Sequence, residues 1–185
     1  MRAFLGVLLI LPLLLCGSVA GPASAGTARS LAVRTIRYDA THAAEFRSVV
    51  DQGAQIWNRS LHNVRFMPGK PADVIVYADK GWPRAQLTEL GRGRIWMGRQ
   101  AVNEGHYPLR IAAHEFGHIL GLPDNRSGRC GDLMSGHSAG TSCRNARPST
   151  KEALRADANF RNGTSGVPIH VSITDADLPA SPTHY

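Results

Sequence analysis

Three cysteines in 185 residues leave no room for a cysteine-rich zinc cluster or a disulfide-dense scaffold. Acidic residues are also short, 14 against 21 lysines and arginines, for a formal charge of +7. That imbalance suits acidic surfaces or substrates. The arginines are scattered, however, and no recognition motif accompanies them, so nucleic acid is not an expected partner. Only one long apolar run occurs, Phe4–Leu15, and it is too short to span a bilayer comfortably. With Arg2 before it and Ala23-Ser24-Ala25 after it, the run reads as a secretory signal over residues 1–25. Cys16 invites a lipid-attachment reading, which the bulky Leu15 before it opposes. Export of a chain without a membrane anchor is therefore expected, and removal of the signal takes Arg2 but no acid.

What remains is enough for one domain with a real core, expected over residues 26–163 with at most a very short pro-segment at its start. Cys130 and Cys143 are then the only cysteines, and in an oxidising compartment they are expected to pair. A loop that short is worth about 3 kcal/mol in the chain-entropy model. Beyond Gly163 the composition turns to serine, proline, threonine and glycine, so 164–185 is expected to be a loosely held tail. A weak extra strand through Ile169, Val171 and Ile173 is the other reading of that stretch.

The chemistry concentrates in Ala113–Asp124, A-H-E-F-G-H-I-L-G-L-P-D. His114 and His118 are four residues apart, so on a helix they project from one face about 40° apart and can share one zinc ion. Glu115 stands where a carboxylate can reach a metal-bound water. Gly121 can adopt the left-handed conformation that stops a helix, and Pro123 prevents its resumption. The turn returns Asp124 as a third ligand. Three protein ligands with one open position describe a catalytic rather than a structural zinc site. Downstream, Asp132-Leu133-Met134-Ser135-Gly136 fits a methionine-containing turn beneath the metal. A core helix with two satisfied histidines would need neither the glycine stop, nor the aspartate, nor that turn.

Together these residues resemble the snapalysin family, the small neutral metalloproteases secreted by streptomycetes, in which aspartate replaces the third histidine of most metzincins. The likeness extends through Ala54-Gln55-Ile56-Trp57-Asn58, Gly91-Arg92-Gly93-Arg94 and the spacing of Cys130 and Cys143, over roughly residues 35–163. It implies an α+β metzincin-like zincin: a small twisted mixed sheet with an active-site helix, a backing helix and a C-terminal helix. It also implies a zinc endopeptidase acting on proteins or peptides, with a preference for an aromatic residue after the cleaved bond; a monomer is expected. The rival is a secreted zinc-binding interaction protein that keeps the site with little turnover. Where relatives carry calcium before the active-site helix, this chain has His106-Tyr107-Pro108-Leu109, so calcium is not carried over. Relatives can carry a tyrosine two residues after the ligand aspartate. Arg126 stands there, as possible oxyanion support or as a solvated surface arginine.

Periodicity supplies the frame. Strands are expected at Leu31–Tyr38, Val64–Phe66, Ala72–Tyr77 and Arg94–Gly98, with Asp79–Arg84 as loop. Arg94–Met97 is the candidate for the sheet edge that pairs with an extended substrate. Helices are expected from Thr41 to Asn58, from Pro108 to about Leu120, and after the Ser149/Glu152 capping box. His42, His62, His106, His137, His170 and His184 have no partner at ligand spacing, and His137, close to Met134, is given a structural role.

Overall fold

The computed structural model describes residues 32–161 and the backbone of 171–174; the expected signal, any pro-segment and most of the expected tail lie outside these residues. The elements run β1 (Arg34–His42), α1 (Arg47–Asn58), β2 (Val64–Pro68), β3 (Val74–Asp79), β4 (Arg84–Glu89), β5 (Arg92–Gly98), α2 (Arg99–Asn103), α3 (Pro108–Ile119), α4 (Thr150–Asn159) and β6 (Val171–Thr174). No helix among the described residues is long and apolar enough to cross a membrane. The strands form one mixed sheet in the order β2-β1-β3-β5-β4-β6. β1, β2, β3 and β5 are parallel neighbours, whereas β4 and β6 are antiparallel additions at one side. The α+β architecture is the expected one.

Alternation explains how the sheet is covered. Ile36, Tyr38, Phe66, Val74, Val76, Ala85, Leu87, Ile95 and Met97 face the helices and are buried. The Phe116 ring of α3 meets Tyr38 edge-on at 5.5 Å and Phe66 at 4.5 Å, which docks the helix under β1 and β2. α1 backs α3, and the Trp57 indole N–H donates to the Ala113 carbonyl at 2.7 Å. On the opposite face, His42 stacks on Tyr77, Tyr77 stacks on Trp96, and the Arg84 guanidinium lies 4.5 Å from the Trp96 ring.

Several boundaries differ from expectation. Thr41 does not cap α1; β1 runs through it, and a turn of 3-10 helix at Ala44–Phe46 leads into the helix. β4 was not anticipated, and it displaces the proposed substrate edge. Arg94–Met97 lies in β5, which is paired on both sides, by β3 and β4, and is therefore not an edge. The physical reason is that β5 alternates buried and exposed residues only because one face of the sheet is open, a pattern that edge and interior strands share here. Within the expected tail, Val171–Thr174 is a strand on β4.

Candidate metal centre

α3 begins at Pro108, whose missing N–H is harmless at the first helical position. It ends at Ile119, and Gly121 just beyond, with φ at +81°, closes it: Gly121 N–H donates to the His118 carbonyl and Leu122 N–H to the Gly117 carbonyl. That stop turns the chain so that Asp124 returns beside the two histidines. Gly117, between them, is required by close approach: a Cβ there would collide with the Met134 sulfur. The methionine turn is thus pressed against the helix as a floor.

The imidazoles are oriented by carbonyls. His114 Nδ1 lies 3.0 Å from Leu133 O, and His118 Nδ1 lies 2.7 Å from Leu122 O. A carbonyl only accepts, so both Nδ1 atoms carry a proton, and in the neutral imidazole each Nε2 then presents a lone pair. Those Nε2 atoms are 3.1 Å apart, and Asp124 Oδ1 is 3.1 Å from one and 3.5 Å from the other. Asp124 Oδ1 is buried and has no hydrogen-bond partner. Three electron-rich atoms facing one another in a dry pocket repel unless a cation sits among them. Burial pushes the His118 imidazole below its ordinary pKa, which opposes a proton in that role. Histidine nitrogen and carboxylate oxygen in this three-fold set fit zinc, and it is the sole such triad among the described residues.

Around this triad, Glu115 is buried and lines a pocket with His114, Trp82, Pro83, Tyr107 and Ile111. His106 and His137 also line it, each packed against Trp82. Arg126 adopts a left-handed conformation (φ +44°) and directs its guanidinium to Asp124 Oδ2 at 3.2 Å, with its other terminal nitrogen 3.4 Å from His137 Nδ1. It is therefore engaged with the Asp124 carboxylate and not a solvated arginine. The disulfide Cys130–Cys143 is formed, and the methionine turn lies in the loop it closes.

Two supporting residues escaped sequence reasoning. Arg110 is buried and donates to the carbonyls of Cys130, Asp132, Leu133 and Asn145, gathering both ends of the disulfide loop onto α3. Glu152 completes the expected capping box with Ser149, but its carboxylate also accepts from Leu133 N–H at 3.1 Å and Met134 N–H at 2.8 Å. One glutamate thereby starts α4 and fixes the floor under the histidines. The capping box signalled the first role; nothing in the sequence signalled the second.

Residues 32–163 match the model of the Streptomyces extracellular neutral proteinase (M7) family. The extracellular small neutral protease of Streptomyces caespitosus is 40% identical over 131 residues, covering 70% of this chain and 98% of that protein. The protein of the same name from Streptomyces sp. (strain C5) is 38% identical over 142 residues, covering 75% of this chain and 62% of its own length. That of Streptomyces coelicolor is 40% identical over 132 residues, covering 70% and 60%. The chain thus spans about three-fifths of the length of the C5 and coelicolor relatives.

Proposed function

From the premise that this chain belongs to the Streptomyces extracellular neutral proteinase (M7) family, we propose that it is a secreted zinc endopeptidase. The observation that supports the metal is the mutual approach of His114 Nε2, His118 Nε2 and Asp124 Oδ1, three atoms that can ligate one ion. Zinc held there would supply Lewis acidity, to a water and to the carbonyl of the peptide bond. Glu115 accepts the proton of the attacking water, whose oxygen bonds to the carbonyl carbon. It then delivers that proton to the amine nitrogen as the C–N bond breaks. Met134 and Gly117 hold the floor, and Arg126 draws one Asp124 oxygen away so that the other faces the histidines. The flat apolar lining from Trp82, Tyr107 and Ile111 suits an aromatic side chain after the cleaved bond.

The decisive variant is Glu115→Gln. It is expected to bind one zinc per chain and retain the fold, while casein hydrolysis falls by about 10²- to 10⁴-fold. Undiminished hydrolysis would rule out the proton-carrying role. Chelation should abolish cleavage and added zinc restore it. The rival, a zinc-binding interaction protein, predicts that the zinc-loaded wild type leaves casein intact.

A further inference from the structure

The strand β4 lies along the half of α3 that carries the ligands. Its start follows Trp82 and Pro83, which share a pocket with His114 and Glu115. Its far end leads to Gly91, whose N–H donates to the Ile119 carbonyl at 3.0 Å. β4 therefore runs in the same sense as the helix, from the pocket towards the C-terminal end of α3. One side of β4 is paired with β5; the other is taken by β6, in the register Arg84↔Thr174, Ala85↔Ile173, Gln86↔Ser172 and Leu87↔Val171. β6 comes from sequence beyond residue 163, outside the family-matched part of the chain.

A strand edge beside a peptide-cleaving centre offers N–H and C=O groups to any extended chain, with little regard to its sequence. A peptide whose residue after the cleaved bond enters the pocket must run back along β4, with its N-to-C direction pointing toward the pocket. β6 has that polarity: Val171 sits opposite Leu87, and Thr174 sits opposite Arg84 at the pocket end. We propose that Val171–Thr174 is a built-in competitor, an intramolecular strand that occupies the β4 edge an extended substrate needs and must leave before substrate binds. This rests on the endopeptidase reading above for the polarity of the substrate. An edge free only about a tenth of the time weakens apparent peptide affinity about tenfold, because the competent fraction divides the intrinsic constant.

The test uses the full-length, zinc-loaded chain and two variants, Ser172→Pro and Ile173→Pro. Successive residues of an antiparallel strand point their N–H groups to opposite sides, so one of the two prolines removes a donor to β4. Binding of a fluorescent extended peptide with a reduced, uncleavable linkage is read by anisotropy, alongside hydrolysis of its cleavable counterpart. At least one variant should bind the uncleavable peptide about tenfold tighter and show a correspondingly lower KM with unchanged kcat. Wild-type affinity in both variants overturns the proposal and leaves β6 as an edge cover. Tighter binding without hydrolysis by any of the three chains upholds the competitor and instead defeats the endopeptidase reading.

Discussion

Arg126 is the residue whose surroundings most change its expected part in the chemistry. Its guanidinium is 3.2 Å from Asp124 Oδ2, so it acts on that carboxylate and not on open solvent. Partners behind a metal ligand typically govern retention of the ion. Arg126→Gln is therefore expected to weaken zinc binding about tenfold, read by competition with a chromogenic chelator. If kcat fell while zinc affinity held, Arg126 would instead be a charge donor to the reacting carbonyl. The convergence of His114, His118 and Asp124 was legible because helical spacing and the Gly121 stop are local facts of the sequence. Arg126 was not, because its role depends on how the turn after Pro123 folds back. The same holds for Arg110, whose four carbonyl partners lie 20 to 35 residues downstream.

Among the elements, α4 matters less as a helix than as the bearer of Glu152. Both carboxylate oxygens are committed to N–H and O–H donors from Leu133, Met134 and Ser149. Glu152→Gln places an amide NH2 against donors that need an acceptor. We expect a stability loss of about 2 kcal/mol, measured by urea unfolding, and a looser methionine turn. A loss confined to a few tenths would mean that water replaces the missing acceptor. α1, α3 and α4 were readable from their apolar stripes and from the Pro108 and Ser149 starts. β4 was not, because R-A-Q-L-T-E buries only Ala85 and Leu87 and so gives a weak alternation. Missing it moved the substrate edge one strand inward, to β5.

For the molecule as a whole, acid is the informative stress. Thr41 donates to Asp39, and Lys70 lies 3.1 Å away; these contacts bring the Asp39 carboxyl down from 3.8 to about 2. A carboxyl that is lower in the folded state stabilises the fold fully above its unfolded value, and the benefit fades as pH falls through the folded one. The wild type should therefore unfold at a higher temperature than Asp39→Asn at neutral pH. The gap should narrow as pH drops from 3.8 towards 2. A gap that does not change across that range would sink this assignment.

The three converging side chains and the carbonyls that orient the imidazoles all come from one continuous tract, His114 to Met134. The tract does not stand alone, because its methionine turn is held from outside by the Arg110 guanidinium and the Glu152 carboxylate. Any transplant of that tract into another framework would have to carry these two side chains with it.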